Sequence, residues 1–356
     1  MHAGTTVFIT GATGFLGSAL LRQLVRRGCV VNALVRRNSR RDQLPENGVR
    51  YFEGDLLDRS SVARAVAGSR YAFHVAADYR LWALTPRETR VTNVEGARIV
   101  MQEAMRAGVE RVVYTSSVAT LGRSGRDDIA DESILANEEQ AIGAYKRSKI
   151  AAERLVLEMI EHEGLPAVVV NPSTPVGPRD IRPTPTGRLV LEAAAGRIPA
   201  FVDTGLNLLH VEDAAMGHLA ALERGKIGER YILGGQNVLL SRLLHDIAEM
   251  TGRRGPWFRM PWYSALPIAC GAEALACFTR REPLATIAGV RMARQRMFFT
   301  SAKAERELGL RPRPYSEALR DAVGWFRAAG YLSDAPLARL SLERNASREA
   351  KSRQIF

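Results

Sequence analysis

The sequence is short of cysteine, of lysine and of long apolar runs, and each shortage excludes something. Its three cysteines, Cys29, Cys270 and Cys277, cannot make a disulfide framework for 356 residues. On a helix, Cys270 and Cys277 would stand about 10 Å apart along the axis, out of bonding range. A reducing, cytoplasmic location is therefore expected. The longest apolar stretch toward the C-terminal end, 260–272, contains Pro261 and Pro267 and is too short to cross a bilayer. The N-terminal stretch lacks the basic start of a secretory leader, its first charged side chain being Arg22, and reads as mature sequence. No set of His, Cys and Asp has metal-ligand spacing, so no metal is expected. Only five of the 50 basic residues are lysines, and the arginines are scattered without a dense basic block. The net charge of +12 thus comes without a nucleic-acid recognition module, and no nucleic-acid partner is expected. What that charge does favour is an anionic substrate or an anionic membrane surface. With 46% hydrophobic residues, whole-chain disorder is excluded, and one large or two moderate domains can be built.

What is present alternates. Apolar runs at 6–10, 30–35, 49–53, 71–75, 111–115 and 167–171 read as strands, separated by helical patterns at 15–27, 60–67, 89–107 and 144–163. Such alternation predicts an α/β, Rossmann-type doubly wound parallel sheet with helices on both faces. Beyond 171 a loop rich in Pro and Gly runs to 187. The helix and strand at 210–224 and 231–233 are expected to return to the sheet. Helical patterns at 240–251, 262–278 and 315–329 predict a smaller, mainly helical lobe. The expected division is a dinucleotide-binding domain at 1–171 rejoined by 208–235, a substrate lobe at 172–207 and 236–330, and a polar basic tail at 331–356.

The first strand runs into Gly11-Ala12-Thr13-Gly14-Phe15-Leu16-Gly17 and then a helix. In that context Gly11 permits a tight turn, Gly14 admits a pyrophosphate to the backbone, and Gly17 lets the helix pack closely. The second strand ends in Arg36 and Arg37, followed by Arg40 and Arg41, where NAD sites usually place an acid. A guanidinium pairs with a 2′-phosphate that a carboxylate would repel, so NADP(H) is preferred over NAD(H). The plainer alternative is a solvated basic turn. Asp55 and Leu56, just past the third strand, are placed to meet the adenine.

Tyr145 and Lys149 stand four apart at the start of a helical pattern and share a face. An ammonium beside a phenol favours the phenolate, so the pair suits proton transfer. Taken alone, Tyr-x-x-x-Lys could equally be a surface pair. Ser116 and Ser117 close the fifth strand, at the edge where parallel sheets bind ligands. A serine there can hydrogen-bond a substrate carbinol while Tyr145 handles the proton and a nicotinamide carries the hydride.

The segments 10–17, 115–117 and 145–149 resemble the extended short-chain dehydrogenase/reductases, over roughly residues 5–328. Segments 74–82, 171–180 and 202–207 resemble the bacterial hopanoid-associated sugar epimerases, a branch close to the dihydroflavonol 4-reductases. The resemblance implies Ser117, Tyr145 and Lys149 as catalytic residues, with Ser116 lining the nicotinamide. It puts Ala76 and Ala77 over the cofactor, Asn93 behind them, and Pro172 and Ser173 on the nicotinamide side. It also implies a sugar-like or hopanoid-linked small-molecule substrate. Arg36 departs from the epimerase side of the family, matching the arginine that dihydroflavonol-type reductases use for NADP. A net NADPH-dependent ketone reductase is therefore the alternative activity. A non-catalytic NADP(H) sensor is a further one, disfavoured because Tyr145 and Lys149 are both present. A homodimer is left open.

Asp78, Tyr79 and Trp82 follow the fourth strand and could line a sugar pocket or pack the loop. Arg179, with Arg182 and Arg188, could clamp a phosphate or remain solvated. His210 could face the cleft or serve structure, with Asp213 capping the helix it precedes. The aromatic run 257–278, flanked by Arg253, Arg254, Arg259, Arg280 and Arg281, suits peripheral contact with an anionic bilayer. Burial in the small lobe is the commoner fate of such a run.

Overall fold

The computed structural model describes residues 1–332 apart from 42–43, 80–84, 123–124, 126–127, 280–282 and 284. Trp82, Arg280, Arg281 and all but the first two residues of the expected tail at 331–356 therefore lie outside the described residues. The first half alternates in chain order: β1 (Thr6–Thr10), α1 (Phe15–Arg26), β2 (Val30–Val35), β3 (Val49–Glu53), α2 (Arg59–Val66) and β4 (Tyr71–His74). It continues through α3 (Pro86–Arg106), β5 (Arg111–Thr115), α4 (Ala144–Glu163) and β6 (Ala167–Pro172). Then follow β7 (Thr174–Val176), α5 (Pro185–Ala194), β8 (Ala200–Val202), β9 (Gly205–His210), α6 (Val211–Arg224) and β10 (Arg230–Leu233). The chain continues with β11 (Gln236–Leu239), α7 (Leu240–Thr251), β12 (Phe258–Met260), α8 (Leu266–Thr279), α9 (Ile287–Met292), α10 (Ala302–Leu308) and α11 (Tyr315–Ala328).

Seven strands form one parallel sheet in the order β10-β6-β5-β4-β1-β2-β3. The order reverses between β1 and β4, which opens the crevice where ligands bind in such sheets. The strands can be apolar on both sides because helices cover both faces; every residue of β6 is buried. On one face Leu20, Leu21 and Leu24 of α1 pack with Ala214 and Leu219 of α6. On the other, Val100 and Met101 of α3 pack with Val156 and Met159 of α4. This is the Rossmann-type α/β fold, and the C-terminal region is largely helical.

The stretch 172–187 differs from the loop expected there, since it holds β7 and the start of α5. Pro185 occupies the first turn of α5, where proline has no amide hydrogen bond to lose, and the Thr184 hydroxyl accepts from the Gly187 amide as a cap. β7 joins β9 and β11 in a small second sheet, and β8 pairs with β12 in a third.

The run 257–278 also departs from the commoner expectation. Ala265, Ala269 and Val290 form a small buried cluster, yet Trp257, Phe258, Tyr263, Ile268, Leu275 and Phe278 are exposed. No helix among the described residues is long and apolar enough to cross a membrane.

Candidate functional site

The glycine turn sits at the switch point, between the end of β1 and the first turn of α1. Gly11 has φ +75°, and a Cβ there would lie 2.6 Å from the Ala76 amide nitrogen. Glycine is thus required twice over, by conformation and by the close approach of the chain after β4. At Gly17 a Cβ would lie 2.0 Å from the Gly11 carbonyl oxygen, so α1 can press on the turn only without a side chain. Gly14 differs. It is exposed, and an added Cβ would meet only the Gly11 carbonyl oxygen, at 3.3 Å. Its neighbours Thr13, Phe15 and Leu16 are half-buried. Among the described residues α1 has neither a side-chain cap nor an acid in its first turn, leaving its leading amides available to an anion.

The chain after β4 is fixed against this turn by a hydrogen-bond relay. The Ala76 amide donates to Thr10 Oγ1 at 3.2 Å, and the Thr10 hydroxyl meets His74 Nδ1 at 2.8 Å. A donating Thr10 leaves the imidazole its proton on Nε2. The buried His74 ring stacks on Tyr114, and burial, with Lys149 nearby, lowers its pKa to about 3. Asn93 ties the same loop to α4: its Oδ1 accepts from the Asp78 amide, and its Nδ2 donates to the Asp78 carbonyl and to Ser148 Oγ. Asp55, exposed beyond β3, accepts the Leu57 amide at 2.9 Å, and Leu56 packs toward Gly96. Arg36 and Arg37 follow β2 in the open, with no ion pair among the described residues, whereas Arg41 is committed to Glu53 at 2.8 Å.

Ser117, Tyr145 and Lys149 converge at the ends of β5 and α4. Ser117 Oγ caps the short 3-10 turn at Val118–Thr120 by accepting the Ala119 amide at 3.1 Å, and the same hydroxyl acts on the Tyr145 phenol. Burial raises the Tyr145 phenol, and Ser117 pulls it partly back. The ammonium of Lys149, one helical turn on from Tyr145, is anchored on the backbone of β5. It donates to the Thr115 carbonyl at 2.8 Å and lies over the Tyr114 ring. Lys149 is 3% exposed, and desolvation lowers its pKa to about 8 against the opposing pull of Glu153.

Glu153, Thr120 and Asn171 form a buried group that the sequence reading missed. Glu153 Oε2 accepts from Thr120 Oγ1 and from Asn171 Nδ2, each at 2.8 Å, while Asn171 also donates to the Ser117 carbonyl at 3.1 Å. The signal was available: an acid four residues beyond Lys149 shares its face, and Asn171 is a polar residue closing an apolar strand. Two further hydroxyls, Ser116 Oγ and Ser173 Oγ, are buried without a partner among the described residues. Pro172, beside Ser173, is buried at the end of β6. Unpaired buried hydroxyls are costly unless a ligand completes them. With the open backbone at Gly14 and the half-buried Ala76 and Ala77 after β4, these unpaired hydroxyls fit the needs of a nicotinamide dinucleotide.

His210 is a correction. Its side chain is 1% exposed and both ring nitrogens are used, Nδ1 accepting from the Glu212 amide and Arg313, Nε2 facing Asp321 at 3.2 Å. It caps α6 and does not present a free nitrogen to a substrate; Asp213, expected as that cap, instead binds Arg313 through both oxygens. Arg179 is exposed in a left-handed conformation, φ 73°, an unusual state for a residue with a side chain. Asp78 is half-buried and accepts from Thr89 at 3.0 Å, and Tyr79 is exposed. Among the described residues one unexpected grouping of possible metal ligands occurs, His245, Asp246 and Glu249 on α7. Asp246 is already held by Tyr315 and Arg242, so the grouping is explained by its own bonds.

Comparison with known proteins agrees with this geometry. Residues 7–234 match the NAD dependent epimerase/dehydratase family. A Synechocystis protein provisionally named dihydroflavonol 4-reductase is 43% identical over 329 residues, covering 91% of this chain and 95% of that protein. Sterol demethylase protein B of Methylococcus capsulatus is 35% identical over 330 residues, covering 92% and 100% respectively. The crystal structure of gox2253 is 47% identical, with a TM-score of 0.83, across 93% of this chain and 100% of that one. The chain therefore belongs to the NAD dependent epimerase/dehydratase family, the extended short-chain dehydrogenase/reductases, and is an NAD(P)-dependent enzyme of that type.

Proposed function

We propose that this enzyme uses NADP(H) to reduce a ketone carbon, or oxidise the matching secondary carbinol, on a sugar-like group carried by a hopanoid-type polycyclic lipid. The observation that carries the cofactor choice is Arg36, exposed and free of ion pairs among the described residues at the end of β2. An acid in that place would repel a 2′-phosphate. The name of the Methylococcus relative, a sterol demethylase protein, supports a polycyclic lipid as the carrier. The Synechocystis relative's name supports net reduction.

In the direction of reduction, Tyr145 donates its phenolic proton to the carbonyl oxygen while Ser117 donates a second hydrogen bond to the same atom. The influence of Ser117 on the Tyr145 phenol supports the two hydroxyls acting as a pair on one oxygen. Lys149, anchored on the Thr115 carbonyl, would hold the nicotinamide ribose hydroxyls and stabilise the phenolate that forms. The nicotinamide, when bound, supplies the hydride.

The family match favours a second reading, epimerisation, in which Tyr145 takes the carbinol proton and later returns it. Turnover of ribosyl hopanoids or sugar nucleotides separates the two. Steady NADPH consumption supports reduction, whereas an inverted product with no net consumption replaces it with epimerisation. For the cofactor, fluorescence titration should show NADPH binding at least about tenfold more tightly than NADH, the worth of one charge-assisted contact. Arg36→Ala should remove that difference; equal affinities in the unsubstituted enzyme would refute the NADP(H) assignment.

A further inference from the structure

α8 reverses the ordinary arrangement of a surface helix, which buries its apolar side and shows water its charges. Its buried residues are the small Ala269 and Ala276, two turns apart. Ile268, Leu275 and Phe278 form an outward stripe at spacings of seven and three, and Phe278 is 87% exposed. Between 252 and 279 the single acid is Glu273, and its carboxylate is turned inward to accept the Ile287 amide at 2.8 Å. The outer surface of α8 therefore carries no charged side chain. Beside it, Trp257 is 77% exposed and Phe258 and Tyr263 are also open. Exposed arginines neighbour this segment: Arg254, Arg259, which also reaches Asp203 at 3.6 Å, Arg291, and Arg294, stacked over Trp262 at 4.7 Å.

We infer that α8 and the aromatic segment before it dock the protein on an anionic bilayer, the helix lying within the headgroup layer. An uncharged apolar face needs an apolar medium, and the neighbouring arginines need anions next to that medium. An anionic membrane surface offers both, and exposed Trp and Tyr side chains suit its interface. A second copy of this chain satisfies the first need but brings one set of arginines against another, in a protein already carrying +12. At about 21 Å for its fourteen residues, α8 is too short to span and can only lie flat.

The position serves the active site. α8 packs on α9, and Ala288 of α9 lies against Gly143, where an added Cβ would be 3.4 Å from the Ala288 methyl. Gly143 stands two residues before Tyr145. A lipid-borne substrate could thus keep its tail in the bilayer while its polar head reached Tyr145; this use of the surface rests on the proposed lipid-linked substrate, whereas the docking itself does not.

Co-sedimentation of the full chain with vesicles of phosphatidylcholine alone, or containing phosphatidylglycerol, tests the docking without cofactor or substrate. Binding to the anionic vesicles that weakens as salt is raised is expected, with a shorter-wavelength tryptophan emission. Leu275→Glu combined with Phe278→Glu should lower the bound fraction about tenfold or more, without lowering the melting temperature, because both side chains are exposed. Arg254→Glu with Arg259→Glu should weaken binding by a similar factor. Docking is overturned if the protein stays in solution with both vesicle types, or if the Leu275→Glu/Phe278→Glu variant sediments as well as the unaltered chain. It is also overturned if that variant instead dissolves a dimer that ignores vesicles. Failure here leaves NADPH-dependent turnover standing, and failure of turnover leaves docking standing.

Discussion

Tyr145 and Lys149 lie one helical turn apart and yet engage different partners. Burial holds the phenol proton in place, Ser117 eases it, and the ammonium is spent on the Thr115 carbonyl. Tyr145→Phe keeps the ring and removes the transferable proton, so turnover should fall by about 10² or more. NADPH titration of the same variant should show unchanged affinity; near-normal turnover would move the proton role elsewhere. Glu153 supports the charge on Lys149 from within the buried group, and Gln in its place can still accept from Thr120 and Asn171. Without the negative charge Lys149 should lose its proton below its present value of about 8. The alkaline limb of the pH–rate profile should then move to lower pH, a displacement that a purely structural role for Glu153 would not produce.

Among the elements, α1 depends on two glycines for separate reasons, and the difference is measurable. Gly17→Ala places a methyl 2.0 Å from the Gly11 carbonyl oxygen, and with backbone on both sides the helix must shift. A loss of about 1–3 kcal/mol in urea unfolding is expected, as for other overpacked sites. Gly14→Ala meets the same oxygen at 3.3 Å on an otherwise open side, so stability should hardly change. Dinucleotide binding should nevertheless weaken by about 1.5–3 kcal/mol, the worth of a hydrogen bond to a charged group, because the methyl stands where phosphate would approach. The close packing at Gly17 was legible from strand, turn and helix in sequence. α5 was not. Its prolines read as a loop, since the Asp180 carboxylate and Thr184 hydroxyl that start it are organised only by folding.

For the whole molecule, buried titratable groups set the response to acid. Burial lowers His74 to about 3 and His218 to about 4, while an unfolded histidine protonates near 6.5. As pH falls below about 6.5 the unfolded chain binds two protons that the folded chain refuses, and stability drops. Asp180 opposes this: burial raises its carboxyl to about 6, so between that value and its unfolded value near 4 the folded chain gains a proton. Near pH 5 one proton remains unmatched, and stability should decline by about 1.4 kcal/mol per pH unit. Asp180→Asn removes the offset and should steepen the decline below pH 6; urea unfolding at pH 7, 6 and 5 checks both slopes. A flat profile for the unaltered protein would contradict them.

Local pattern was enough to specify the alternating sheet, the glycine turn, the serine strand end and the Tyr145–Lys149 helix face. Each depends on neighbours within a few residues, through backbone sterics or through a period of two or 3.6. Contacts across the fold decided the rest. His210 became a cap because Arg313 and Asp321, a hundred residues away, occupy its ring. Lys149 was drawn to the β5 carbonyl, and Glu153, Thr120 and Asn171 were gathered behind Ser117 from three different elements. The exposure of α8 was settled the same way: its apolar composition was plain in the sequence, but packing against α9 and the segment before it buried only Ala269 and Ala276 of the helix. Hydrophobicity says what a segment avoids, whereas packing geometry decides which of its faces escapes water.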